Sequence, residues 1–129
     1  MKPNVWGPCT WRFIHTTALG YSGDDPDTYY AFYKDLYKIL PCQKCSRNYE
    51  RHWNEIDIRK YLRSNVELFK WTVLLHNIVN KELGKKEMRF EEALRLYTGA
   101  AASSAAYKYI VAMVLLLITI FFVSKHKWS

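Results

Sequence analysis

The chain has 129 residues, of which 50% are hydrophobic and 24% charged, values that fit one folded domain rather than a disordered chain. Its formal net charge is +7, but basic and acidic residues are interleaved without a dense basic run, so the sequence does not indicate a nucleic-acid partner. Three cysteines are too few for a disulfide-stapled secreted scaffold. Residues 1–7 are polar and no apolar signal segment follows, so we expect no signal peptide.

The first half of the chain predicts three helices. Thr10 can cap the first helix, which ends before Gly20. Asp27 can cap the second, and Pro41 ends it. The apolar stripe of this helix comprises Phe32, Tyr33, Leu36, Ile39 and Leu40. A third helix is predicted to begin around Cys42.

The fourth predicted helix has the clearest signals at both ends. Ser64 and Glu67 have the spacing of a capping box, and Gly84 provides a stop. Its apolar face comprises Leu68, Thr72, Leu75, Val79 and Leu83. A fifth short helix is predicted at about 90–97, and no alternating run predicts a strand. We therefore expect an all-α fold, a four-helix bundle with a short fifth helix, as a domain over residues 1–99.

The C-terminal residues predict a membrane anchor. Residues 100–107 are rich in small side chains and are interpreted as a linker, and residues 109–124 carry no charge. Lys108 and Lys125 flank this stretch and can snorkel, which would extend a short span. We therefore predict a transmembrane helix over 108–124 and a basic tail over 125–129, in a single-pass, tail-anchored protein whose domain faces the cytosol.

Cys42 and Cys45 form a CxxC motif that follows Pro41 at the predicted start of a helix. Unpaired N–H groups and the positive end of the helix dipole stabilise a thiolate there, which favours a redox pair. Two other interpretations stay open on the motif alone. The cysteines can be structural thiols, or zinc ligands, although no second CxxC or His pair has zinc-finger spacing.

Polar residues interrupt the apolar pattern of the fourth helix at His76, Asn77 and Asn80. His76, Val79 and Asn80 share one helix face, and buried polar groups there need partners, which a ligand with amide and phosphate groups would supply. The alternative is a core histidine with its own protein partner, next to two surface asparagines.

The first helix carries a third motif. Trp11 and His15 are four residues apart and therefore lie on one face, and Gly7 permits close backbone approach just before them. An amphipathic helix entry would explain the same residues.

Taken together, three motifs resemble the Erv/ALR family of FAD-linked sulfhydryl oxidases over about residues 5–99. They are WGPxxWxxxH, the proline-preceded CxxC, and HNxVN with LGK. The short chain with one CxxC is most similar to the versions encoded by large DNA viruses, which adds the inside of a virus particle as an expected location. The resemblance implies that FAD sits in the helical bundle, with no metal. It implies these cofactor-binding residues: Gly7, Trp11, His15, Tyr49, His76, Asn77, Val79, Asn80, Lys85 and Tyr97.

The resemblance also implies an activity. Cys42 and Cys45 would oxidise thiols of substrate proteins and pass the electrons through FAD to oxygen, which gives hydrogen peroxide. Many family members carry a second, shuttling cysteine pair, whereas the only other cysteine here is Cys9. Substrates would then reach the CxxC directly, or a thioredoxin-like relay protein would carry the disulfide onward. The family commonly forms homodimers, which we expect here through the first two helices. The competing hypothesis is a tail-anchored, non-enzymatic adaptor with a structural or zinc-binding CxxC.

Overall fold

The computed structural model describes residues 1–99 and 107–119, and within these ranges the regular structure is entirely helical. The main helices are α1 (Pro3–Leu19), α2 (Pro26–Asp35), α3 (Gln43–Trp53), α4 (Asn65–Glu82) and α5 (Phe90–Thr98). Short 3-10 segments follow α2 and precede α4, and residues 107–119 form a further helix. The predicted all-α class, with four bundled helices and a short fifth, is confirmed for the described residues.

Helix α1 begins earlier than Thr10, where the sequence predicts its start. Pro3 occupies the first turn, where its missing N–H costs nothing, and Pro8 lies inside the helix. The Thr10 hydroxyl donates to the Trp6 carbonyl one turn back instead of capping the helix. The prediction was wrong because Gly7 and Pro8 together resemble a helix boundary, yet the surrounding turns tolerate both.

Helix α2 begins at Pro26, with Asp25 rather than Asp27 as its cap. The Asp25 carboxylate accepts a hydrogen bond from the Thr28 N–H at 3.1 Å. After Asp35 the chain tightens into a 3-10 turn, which has three residues per turn rather than 3.6. That change of pitch takes Ile39 away from the buried face, and its side chain is 76% exposed.

Helix α4 has the predicted signals at both ends. The Ser64 hydroxyl accepts from the Glu67 N–H at 3.2 Å, and Gly84 adopts a left-handed conformation with φ of 64° just after the helix. Leu68, Thr72 and Leu75 are buried as expected. Leu83 is exposed because it lies beyond the last helical residue.

Hydrogen bonds from buried aromatic side chains connect the four helices of the bundle. The Tyr33 hydroxyl on α2 donates to the Ile14 carbonyl on α1, and the Tyr49 hydroxyl on α3 donates to the Tyr33 carbonyl. On α4, the Trp71 indole donates to the Ile56 carbonyl, which lies just after α3. Each ring therefore buries a large apolar surface without leaving its polar atom unpaired.

The chain divides into two units, Met1–Ala93 and Leu94–Ser129. The first contains α1 to α4 and the start of α5, and every contact discussed below lies within it. The second contains the rest of α5 and the helix at 107–119.

The predicted C-terminal transmembrane helix is overturned. Over the ranges that the structure describes, no helix is long and apolar enough to cross a membrane. Residues 120–124 of the predicted span, the tail at 125–129 and residues 100–106 of the predicted linker lie outside the described residues.

Gly84 provides a direct test of how α4 ends. Gly84→Ala should lower the free energy of unfolding by about 1–2 kcal/mol, because an alanine resists the left-handed conformation that φ of 64° requires. Gly20→Ala is the matched control, because Gly20 ends α1 at a φ of −81° with ordinary space around an added methyl group. Urea unfolding measures both variants, and equal losses would contradict this account of Gly84.

Candidate functional site

Cys42 and Cys45 form a disulfide at the start of α3, with their Cα atoms 5.2 Å apart. Cys42 is the N-cap residue, and its sulfur accepts from the Cys45 N–H at 3.3 Å. The Ser46 hydroxyl donates to the Tyr37 carbonyl at 2.7 Å and so ties the first turn of α3 to the preceding segment. Both cysteines are half-buried, which leaves the disulfide partly accessible from solvent.

The disulfide lies near the beginning of α1. The terminal amino group of Met1 donates to the carbonyl of Pro41, the residue before Cys42, at 3.3 Å. Lys44 and Arg47 follow in the first turns of α3, where both are exposed. A thiolate released from the disulfide would therefore lie at the positive end of a helix dipole, with cationic side chains nearby in sequence.

The middle of α1 packs on α4 through an aromatic cluster. The Trp11 and His76 rings are parallel within 3° and have centroids 3.9 Å apart. His15 stacks beside both rings, with centroids 5.8 Å from Trp11 and 5.2 Å from His76. The structure thus brings together the motif residues of the first and fourth helices that the sequence analysis singled out separately.

Hydrogen bonds determine which nitrogens of the two histidines carry protons. The Thr72 hydroxyl donates to the Phe69 carbonyl at 2.6 Å, so it accepts from Nδ1 of His15 at 2.8 Å. Nε2 of His15 is then an acceptor in the neutral ring, and Nδ1 of His76 donates to it at 3.0 Å. In this series of hydrogen bonds, Nε2 of His76 is left as an acceptor.

Burial keeps both rings neutral. Desolvation lowers the pKa of His15 to about 3, and the neighbouring His76 lowers it further. Desolvation also lowers the pKa of His76, to about 4, with a contribution from the positive charge of Lys85. Lys85 is exposed and close enough to act on this ring.

Three other predicted site residues lie on α1 and α4 near the cluster. Gly7 is half-buried on α1, and a methyl group added there would meet nothing within 4 Å. Val79 is half-buried, and the Asn80 side chain is buried, with no hydrogen bond to any residue that the structure describes. The Asn80 amide is therefore available to a ligand.

The remaining predicted residues have other surroundings. The Asn77 amide donates to the Met88 carbonyl and accepts from the Met88 N–H, both at 2.8 Å, so it fastens the segment after α4. The Tyr49 hydroxyl is already bonded to Tyr33. Tyr97 is half-buried on α5, within the second unit. Cofactor contacts by Asn77, Tyr49 and Tyr97 stay predictions.

Comparison with known proteins identifies the family. The sequence profile of the Erv1/Alr family matches residues 8–98, most of the chain. The chain belongs to the Erv1/Alr family. A probable FAD-linked sulfhydryl oxidase of Acanthamoeba polyphaga mimivirus is 39% identical over 99 residues, which cover 73% of this chain and 69% of the relative. An FAD-linked sulfhydryl oxidase of African swine fever virus is 28% identical over 107 residues, covering 79% and 87%.

The fold comparison agrees with the family assignment. The FAD-binding domain of Erv1 from Saccharomyces cerevisiae superposes with a TM-score of 0.69 at 26% identity, over 77% of this chain and 97% of that domain. The stretch matched by the Erv1/Alr profile contains the CxxC, the Trp11–His15–His76 cluster and Asn80. The resemblance predicted from sequence motifs is confirmed.

The names of these Erv1/Alr relatives include FAD, and the side chains around the cluster suit that cofactor. Trp11 and His76 present flat rings for stacking, and Asn80 with Nε2 of His76 offers hydrogen-bonding capacity that the described residues leave unused. Lys85 supplies a cation for a phosphate. The residues present therefore fit a flat, phosphorylated cofactor such as FAD.

A zinc site finds less support. The two sulfurs of the CxxC are joined to each other, whereas zinc needs separate thiolates. Over residues 1–99 and 107–119, no group of three or more His, Cys, Asp or Glu side chains is arranged to hold a metal ion.

Sequence reasoning missed two residues. Thr72 was assigned to the apolar face of α4, yet its hydroxyl fixes the tautomer of His15. His52 was considered only as an available zinc ligand, yet its ring is completely buried between two carboxylates. For Thr72, a threonine within a Leu-rich helix face is a usable sequence signal. For His52, nothing in the local pattern marks the residue.

The neutral histidine pair predicts a pH dependence for the flavin-free protein. Both folded-state pKa values lie below the ordinary 6.5, so between pH 6.5 and about 4 the unfolded chain binds more protons than the folded one. The stabilisation is complete above pH 6.5 and is lost as the pH falls. The slope should reach up to about 1.4 kcal/mol per pH unit for each histidine.

Denaturant unfolding at a series of pH values measures this slope. His76→Asn removes one of the two rings and should reduce the slope in this window by about half. A wild-type curve that runs parallel to the His76→Asn curve between pH 6.5 and 4 would show that His76 does not titrate in this way.

Proposed function

We propose that the protein is an FAD-dependent thiol oxidase that forms disulfide bonds in substrate proteins and reduces oxygen to hydrogen peroxide. The observation that carries this proposal is the Cys42–Cys45 disulfide at the start of α3. It lies in a chain of the Erv1/Alr family whose curated relatives are named as FAD-linked sulfhydryl oxidases.

The chain's own residues perform thiol–disulfide exchange. A substrate thiolate attacks one sulfur of the disulfide and forms a mixed disulfide, while the other cysteine leaves as a thiolate. The substrate's second thiolate then attacks the mixed disulfide, which closes the substrate disulfide and leaves both cysteines reduced. The start of α3 stabilises each departing thiolate through unpaired N–H groups and the helix dipole.

When bound, FAD would supply the redox chemistry that links the reduced cysteines to oxygen, so that overall two thiols and O2 give one disulfide and H2O2. Trp11, His76 and Asn80 would hold its flat and polar parts, and Lys85 would lie near its phosphates. His15 acts through His76, whose Nδ1–H it accepts, and so fixes the orientation of that ring. Gly7 and Val79 complete the proposed set.

The single CxxC restricts how substrates reach the protein. Cys9 is exposed on α1 and has no disulfide partner among the described residues. One unpaired thiol cannot shuttle an electron pair as a disulfide within one chain. We propose that protein thiols react directly with the CxxC, or that a thioredoxin-like relay protein carries the disulfide onward.

Three cysteine variants test the proposal. Wild-type protein should carry about one FAD per chain and consume oxygen in the presence of a dithiol. Cys42→Ser and Cys45→Ser should each lose turnover to background, because neither can form the disulfide that accepts a substrate thiolate. The matched control is Cys9→Ser, which should retain most activity. Absorbance spectra and oxygen uptake give both quantities.

The spectra also assign the two sulfurs. If Cys45 is the sulfur nearer the flavin, Cys42→Ser leaves a Cys45 thiolate beside it and should show a long-wavelength charge-transfer band, which Cys45→Ser lacks. A band only in Cys45→Ser would reverse the assignment. A folded protein that cannot be loaded with FAD would refute the oxidase proposal, and flavin content separates the oxidase from a non-enzymatic adaptor.

We also propose a homodimer through α1 and α2. Tyr33 and Leu36, from the apolar stripe of the second helix, are buried within one chain. Support comes instead from Phe13 on α1, which is 55% exposed and packs edge-on against Phe32 on α2. Light scattering at micromolar concentration should give a dimer mass, and Phe13→Glu should shift it toward the monomer. A monomeric wild type would refute the dimer.

A further inference from the structure

His52 is a buried, ionisable side chain that the proposed mechanism does not use. Its ring is completely buried on the last turn of α3. Nδ1 lies 3.2 Å from a carboxylate oxygen of Glu55, just after α3, and Nε2 lies 3.1 Å from a carboxylate oxygen of Glu82, at the end of α4. The other oxygen of Glu82 accepts from Arg51.

This cluster joins α3 to α4 by charge as well as by hydrogen bonds. The His52 ring has one nitrogen beside each carboxylate, and the Arg51 guanidinium is the cation that donates to Glu82. The Arg51 hydrogen bond and the nearby His52 lower the pKa of Glu82, so its carboxylate stays ionised. The charged groups around His52 are therefore Glu55 and Glu82, with Arg51 next to them.

The position of His52 on α3 relates it to the redox motif. Cys45 and His52 are seven residues apart, so they lie within about 20° of the same helix face. Tyr49, between them on that face, is also buried. The contact between His52 and Glu82 therefore lies on nearly the same face of α3 as Cys45.

The position of Glu82 on α4 relates the same contact to the cofactor residues. Val79 lies three residues before Glu82 and three residues after His76, and residues three apart are neighbours on a helix surface. The surface of α4 that meets His52 therefore borders the surface that carries the aromatic cluster. A rotation of α3 would move Cys45 relative to that border.

We propose that His52 is a positioning residue: its contact with Glu82 fixes the rotation of α3 and thereby holds Cys45 toward the α4 side of the site. The consequence for electron transfer rests on the proposed function, whereas the placement of Cys45 does not. Trp53 independently packs edge-on against Trp71 at 5.6 Å, which keeps α3 on α4 when the His52 contact is weakened.

The test uses substitutions at the partly exposed Glu82, because they leave the buried ring in place. Glu82→Ala removes the contact together with the Arg51 hydrogen bond, Arg51→Ala removes only the latter, and Glu82→Gln restores an acceptor without the charge. The matched control is Glu55→Ala, which removes the other carboxylate on the ring but none from α4. Circular dichroism and the unfolding midpoint establish that each variant is folded.

The first measurement needs no flavin. In the full chain with Cys42→Ser and Cys9→Ser, Cys45 is the only thiol, and its alkylation by iodoacetamide reports its exposure. Glu82→Ala should raise this rate several-fold and Glu82→Gln less, while Glu55→Ala matches the parent. An unchanged rate in Glu82→Ala, or an equal rise in Glu55→Ala or Arg51→Ala, would overturn the positioning role of the His52–Glu82 contact.

The second measurement uses the flavin-loaded chain with all three cysteines intact. Glu82→Ala should lower kcat for a small dithiol about tenfold and leave KM and flavin content unchanged. The reason is that a misplacement of Cys45 by about 1 Å slows a positioned reaction without weakening substrate binding. Unchanged kcat would overturn the link to electron transfer. If no variant holds flavin, the oxidase proposal fails, whereas the alkylation result still decides the placement of Cys45.

Discussion

The packing of α1 against α4 depends on one buried polar chain, which runs from the Phe69 carbonyl through Thr72 and His15 to His76. A completely buried imidazole destabilises a core unless both ring nitrogens have partners. Here Thr72 satisfies one nitrogen and His76 the other, and the orientation of His76 is fixed as a result. The direction in which His76 presents its flat face to Trp11 thus depends on the hydrogen bond between Thr72 and His15, which does not involve His76 itself.

The same arrangement, polar atoms satisfied inside aromatic packing, recurs through the bundle. The Tyr33 hydroxyl on α2 donates to a carbonyl of α1, and the Tyr49 hydroxyl on α3 donates to a carbonyl of α2. Two hydroxyl groups therefore connect these three helices. Burial raises the pKa of both phenols well above the usual value. These hydroxyls remain protonated donors, which makes the connections insensitive to pH over the physiological range.

Sequence reasoning predicted the elements that depend on local chemistry. The serine cap and the glycine stop of α4 follow from backbone requirements within one turn, and the helix start at Cys42 follows from the proline before it. Local reasoning was wrong where a neighbouring turn changed the outcome. Pro8 is tolerated inside α1, and a 3-10 turn takes Ile39 off the apolar stripe.

The candidate site was predictable to the extent that its residues form motifs along the chain. Trp11 with His15, and His76 with Asn80, are visible as helix faces, but only the fold shows that the two faces stack on each other. Asn77 belongs to the same motif, yet its amide serves the Met88 backbone. Spacing identifies a face, whereas the direction in which a polar group points depends on residues far along the chain.

Helix α3 reconciles two opposing requirements of disulfide exchange. The sulfurs must remain accessible to a bulky protein thiol, and they must also keep a fixed relation to a cofactor site that excludes water. The first turn of α3 is half-buried, which meets the first requirement, while its last turn is anchored by the completely buried His52. Because a helix transmits rotation along its length as a rigid element, an anchor two turns away can orient Cys45 without covering it. That separation explains how a chain with a single cysteine pair can leave the pair open to substrates and still control its orientation.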